Sequence, residues 1–127
     1  MNRDQLKARV LGILTRHVGR EKAIGMGELY ERVYGKPWKH RINDTRALRR
    51  LITELRYEGY LIGETRSRQG GGYYLARSES ELDEFFGRRT REALRKLKMV
   101  SCMKNQGLAE FLGQLSLELQ GARDEAA

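Results

Sequence analysis

The sequence predicts a mainly α fold with a small β-hairpin, followed by further C-terminal helices. Three observations carry this. In residues 43–58, Leu48, Leu51, Ile52 and Leu55 recur at i, i+3, i+4 and i+7, the signature of one buried helical stripe. Gly59 stops that helix, and residues 60–76 read as a hairpin. Its strands carry the β-favouring Ile62, Thr65, Tyr73 and Tyr74, and its tip is Arg66-Ser67-Arg68-Gln69-Gly70-Gly71. Apolar residues then continue at helical spacing from Leu82 to Leu119.

The first helix is expected from Asn2 or Arg3 to His17, because Leu6, Val10, Ile13, Leu14 and Val18 share a face. Gly19 is its stop, and Ala23-Ile24 reads as a very short strand. Gly25 caps a second short helix whose apolar side is Leu29, Tyr30, Val33 and Tyr34, closed by Gly35. A loop follows, Lys36-Pro37-Trp38-Lys39-His40-Arg41, in which Pro37 biases Lys36 away from helix. Asn43 or Asp44 is the expected cap of the third helix. Beyond the hairpin, Ser78-Glu79-Ser80-Glu81 matches a capping box, and a break is expected near residues 104–107. Residues 1–78 thus form one expected domain, 79–120 a helical extension and 121–127 a frayed tail.

Charge is uneven along the chain. Net charge is +8, and residues 1–78 hold 17 Lys+Arg against 8 Asp+Glu. Residues 79–127 hold 8 against 9. The excess of cations in the first part favours a polyanionic partner. The single cysteine, Cys102, permits no disulfide within one chain and suits a reducing cytoplasm. No apolar run approaches the roughly 18 residues of a membrane span, and no membrane partner is expected.

The candidate contacts with nucleic acid lie on the third helix and the hairpin tip. Taking about 100° per residue, Arg46, Arg50, Thr53 and Tyr57 fall opposite the apolar stripe, and Arg49 flanks them. Arginine bonds guanine bidentately in the major groove. Asn43 and Thr45, at the helix start, are suited to a base edge or a phosphate. Arg66, Arg68 and Gln69 suit phosphate or minor groove, and Lys39 and Arg41 suit the backbone beside the helix. Against this stands the plain reading of a solvated face, since arginine is a good helix former. Trp38 and most of the six tyrosines read as packing groups.

Other chemistries find little support. Gly70-Gly71-Gly72 precedes a strand and lacks the Gly-Lys-Ser/Thr of a phosphate loop. His17, His40 and Cys102 are too few and scattered for a metal site, and Cys102 reads as a buried, inert thiol. No nucleophile motif or carboxylate pair is present, so neither an enzyme nor a cofactor is expected.

The pattern Arg46-x-x-Arg49-Arg50-Leu51-Ile52-x-x-Leu55-Arg56-x-x-Gly59-Tyr60-x-Ile62, then Gly72-Tyr73-Tyr74-Leu75-Ala76-Arg77 and Glu79-x-Glu81-Leu82, resembles small prokaryotic and phage-borne winged helix-turn-helix proteins. Their winged part is similar to the N-terminal DNA-binding domain of biotin-operon repressors. The resemblance spans roughly residues 3–100 and is strong over 43–82. It implies sequence-selective binding of double-stranded DNA, with the third helix in the major groove and the wing on the backbone or minor groove. The loop 36–41 is longer than that family's turn, and no ligase domain follows. The expected role is therefore a transcriptional regulator of bacterial or phage type.

The apolar stripe from Leu82 to Leu119 exceeds what a three-helix winged domain needs to cover itself. Residues 82–119 are expected to form a homodimer interface, against the alternative of folding back on the first helix. A protein-docking module in a replication, packaging or transcription complex is the second functional reading, because fold does not fix function.

Overall fold

Asn2 sets the first element. Its side-chain oxygen accepts a bond from the Gln5 N–H at 2.9 Å, and its own N–H donates to Gln5 Oε1 at 3.0 Å. This capping box opens α1, Arg3–Leu14. The computed structural model describes residues 1–39, 45–66 and 71–126. The chain divides into two units, Met1–Asp83 and Glu84–Ala127. Among the described residues it is mostly helical, with five α-helices and a three-stranded antiparallel sheet.

In the first unit, α1 ends three residues before the expected His17. The last turn tightens, with Arg16 N–H donating to Ile13 O at 3.1 Å and His17 N–H to Leu14 O at 2.9 Å. The chain is then held by the sheet instead of the helix. Leu75 N–H donates to His17 O and Gly19 N–H to Leu75 O, each at 2.9 Å. A short 3₁₀ turn, Arg20–Lys22, leads to β1, Ile24–Gly25. Gly25 caps α2, Met26–Tyr34, and Gly35 closes it in the left-handed conformation, as the sequence predicts.

The third helix, α3, is described from Arg46 to Tyr57, with Thr45 at its N-cap. The expected caps Asn43 and Asp44 lie outside the described residues. Its end is a Schellman motif: Tyr60 N–H donates to Leu55 O at 3.1 Å and Gly59 N–H to Arg56 O at 3.0 Å. Gly59 takes φ +99°, a region a side chain disfavours. The chain therefore reverses at once into β2, Ile62–Thr65, and β3, Gly72–Leu75.

The hairpin register pairs Ile62 with Leu75 and Thr65 with Gly72. β3 is the central strand, because β1 pairs on its other edge with Ile24 opposite Tyr73. Leu48, Leu51, Ile52 and Leu55 of α3 are buried against Val10 and Leu14 of α1, Leu29 and Val33 of α2, and Ile24, Ile62 and Tyr73 of the sheet. Burial of this kind supplies roughly 1.5–3 kcal/mol per large aliphatic side chain. It is what fixes the outward direction of the rest of α3.

The first unit extends past the expected boundary at residue 78. A 3₁₀ turn, Glu79–Leu82, takes the place of the expected helix start. The capping box does not form, because the Glu81 carboxylate accepts instead from the backbone N–H groups of Arg20 and Arg77, each at 3.0 Å. Leu82 is buried beneath the hairpin, where a Cβ at Gly63 would stand 2.8 Å from its Cδ2.

The second unit holds two helices, and its buried side chains, Ser101 and Phe111, lie close to the break between them. α4, Asp83–Met103, and α5, Leu108–Ala126, are joined at the predicted break, with Asn105 at φ 56°. Gln106 N–H donates to Ser101 O at 2.9 Å, and Lys104 Nζ lies 5.7 Å from the Phe111 ring centroid. The expected frayed tail from Gly121 is instead helical to Ala126, in a stretch rich in the helix formers Ala, Arg and Glu.

Candidate nucleic-acid interface

The apolar stripe of α3 is pinned inward, so its opposite face is presented outward. Arg46, Arg49, Arg50, Thr53 and Tyr57 are all exposed, Tyr57 to 89%. Arg46, Arg49, Arg50 and Thr53 line a shallow depression of about 360 Å³ together with Arg3 and Glu54. Arg3 comes from the first turn of α1 and was not among the sequence candidates. Only the α1–α3 packing brings it there, a signal that helical periodicity within α3 does not contain.

Glu54 of α3, which lines the same depression, and the C-cap Glu58 are both paired with cations of α1. Glu54 accepts from Arg3 at 2.6 Å, and Glu58 from Lys7 at 2.5 Å. The hydrogen bond to Glu58 raises the Lys7 pKa above its ordinary value; desolvation acts in the other direction, and the charges of Glu58, Glu54 and Asp4 add to the rise. Arg46 and Arg50 have no ion-pair partner among the described residues. The outward face of α3 is consequently cationic, with guanidinium groups suited to phosphate or to guanine edges.

Two candidates on α3 change role. Thr45 is 1% exposed, so it cannot present its side chain to a base or a phosphate. It belongs to the start of the helix, where its carbonyl accepts from Arg49 N–H at 2.9 Å. Thr53 remains outward, but its hydroxyl donates to the Arg49 carbonyl at 2.9 Å, leaving its lone pairs for a ligand donor. Arg56, one of the basic groups counted on this helix, points to the hairpin. Its Nε donates to Ile62 O at 2.9 Å.

On the hairpin, Arg66 is exposed at the end of β2. Lys39 is exposed in the loop after α2. Asn43, Arg41, Arg68 and Gln69 lie outside the described residues. Trp38 is 37% exposed and its indole lies over Gly27, where α2 has no side chain. Its expected packing is therefore on the first turn of α2 rather than in the core. Tyr30, Tyr73 and Tyr74 are buried, whereas Tyr57 and Tyr60 are exposed.

Cys102 is exposed, contrary to the buried thiol expected. At about 100° per residue it falls on the side of α4 opposite Ala93 and Val100. Among the described residues no helix is long and apolar enough to cross a membrane. No known protein family, curated protein or solved structure matches this chain.

Proposed function

We propose that the protein is a sequence-selective double-stranded DNA-binding regulator of bacterial or phage type, working in the reducing cytoplasm. The first unit is read as a winged helix, with α3 in the major groove and the hairpin along the backbone or minor groove. The observation that carries this is the outward face of α3. Arg46, Arg49 and Arg50 are exposed there, while Glu54 and Glu58 are engaged by α1. The direct step from α3 into a hairpin bearing Arg66 supports it, as does the cationic excess of residues 1–78. Arg46, Arg49, Arg50 and Thr53 would contact the duplex directly, and Arg66 with Arg68 and Gln69 would contact its backbone. Lys39 and Arg41 are proposed to flank them.

Binding as a homodimer through residues 82–119 would set two recognition helices on successive major grooves, roughly 34 Å apart. The exposure of Phe86, Leu94 and Leu119 supports a protein contact in this region. It also favours, as the second reading, a winged-helix module that docks a replication, packaging or transcription partner. Selection from a random duplex library at about 150 mM salt separates the two. Enrichment of a motif with inverted half-sites is the expected outcome. Failure to retain any duplex would overturn the DNA reading in favour of docking.

A further inference from the structure

The near-neutral total of residues 79–127 conceals a segregation. Residues 88–104 hold seven Lys+Arg and one acid, Glu92. At about 100° per residue, Arg88, Arg91, Arg95 and Lys98 fall within an arc of roughly 80° on α4. Phe86, Ala93, Leu97 and Val100 take the opposite side. Arg91, Arg95 and Lys98 are exposed and have no ion-pair partner among the described residues. Arg88 starts the ridge half-buried, with its guanidinium carbon 5.8 Å from the Phe85 ring centroid.

A solvated helix face normally intersperses signs, so that i, i+4 pairs support it. Here the ridge has like charges at i, i+3 and i, i+4, which repel one another and weaken an isolated helix. A polyanion removes that repulsion. The ridge is about 15 Å long at 1.5 Å per residue. Phosphates of one strand rise by roughly 3.4 Å each along the duplex axis and are spaced more widely along the backbone itself, so the ridge is long enough to meet two or three of them. Arg91 and Arg95 present planar forks of the kind that grips phosphate bidentately, whereas Nε and Nη2 of Arg88 are buried and it adds charge at the end of the ridge.

We infer that the Arg88-Arg91-Arg95-Lys98 ridge of α4 is a second, sequence-independent contact with the phosphodiester backbone of duplex DNA. This rests on the DNA-binding reading of the first unit. It assigns to the second unit a share of the affinity, separate from any role in pairing chains.

The test uses the full-length protein, an arbitrary duplex, and salt from about 50 to 300 mM. Replacing three exposed members (Arg91→Gln, Arg95→Gln, Lys98→Gln) should reduce the slope of log K against log salt by roughly 2–3. The loss should be the same for unrelated sequences. The charge-conserving Arg91→Lys, Arg95→Lys variant should retain the wild-type slope, and circular dichroism of both variants should match wild type. A wild-type slope in the triple variant, with wild-type DNA binding intact, overturns the ridge alone. Wild-type protein that holds no duplex even at about 50 mM salt overturns both the ridge and the DNA-binding reading. Wild-type binding to phosphatidylserine vesicles without binding to duplex overturns the ridge in favour of a membrane surface. A triple variant that loses DNA only because it sediments as a different oligomer overturns it too.

Discussion

Gly63 shows how a single atom constrains the hairpin. A Cβ there would stand 2.6 Å from Tyr74 Oη and 2.8 Å from Leu82 Cδ2, and both neighbours are buried. Gly63→Ala should lower stability by about 1–3 kcal/mol, measured by urea unfolding, because packed neighbours have nowhere to move. Lys7 makes a different kind of prediction. Its pKa is raised in the folded chain by the Glu58 hydrogen bond, so its contribution is present below the ordinary value of 10.5 and is lost as pH climbs through the raised one. The Tm difference between wild type and Lys7→Met should therefore hold from neutral pH to about 10 and shrink above it. A difference that grew in that alkaline range would contradict the ion pair. At this scale the outward arginines of α3 were legible from spacing alone. Thr45 was not, since a small polar side chain at a helix entrance is exposed or buried according to what packs over it. Cys102 was not legible either, for a related reason: thiols are usually buried, whereas this one sits exposed on the polar side of a helix.

At the level of elements, α3 and the hairpin divide the proposed work. α3 is rigid, with four buried apolar side chains and a Schellman end, so its outward side chains have fixed positions relative to one another. Such a helix can read base edges. Replacing Arg46 and Arg50 with alanine should flatten sequence preference in competition binding, at about 1–3 kcal/mol of discrimination per lost bidentate contact. Arg66→Ala should weaken binding evenly across sequences and reduce the salt slope by about 1. Equal effects from the two variants would remove the division. The start of α2, the stop at Gly59 and the break before α5 were readable because caps and glycines act locally. The early end of α1 was not, because its final residues are claimed by β3, some sixty positions away in sequence. The capping box at Ser78 failed for the same reason, as Arg20 and Arg77 take the carboxylate it needs.

For the whole molecule, the telling feature is that large apolar side chains of the second unit face solvent in one chain. Leu94 is 41% exposed and Leu119 64%. A homodimer through 82–119 predicts sedimentation at twice the 14.7 kDa of one chain at micromolar concentration. Leu94→Glu with Leu119→Glu should return it to one chain without unfolding it, since both positions face solvent. A wild-type monomer at that concentration would rule the dimer out. The amino-acid sequence by itself determined the helix–helix–helix–hairpin order, the inward stripe of α3 and the cationic bias of residues 1–78. These follow from periodicity, caps and charge, which act over a few residues or simply add. Tertiary packing alone decided that β1 completes a three-stranded sheet, that Arg3 joins the arginines of α3 while Arg56 leaves them, and that Thr45 is internal. Each of these depends on groups distant in sequence competing for the same hydrogen bonds and the same space, and no local pattern records which of them wins.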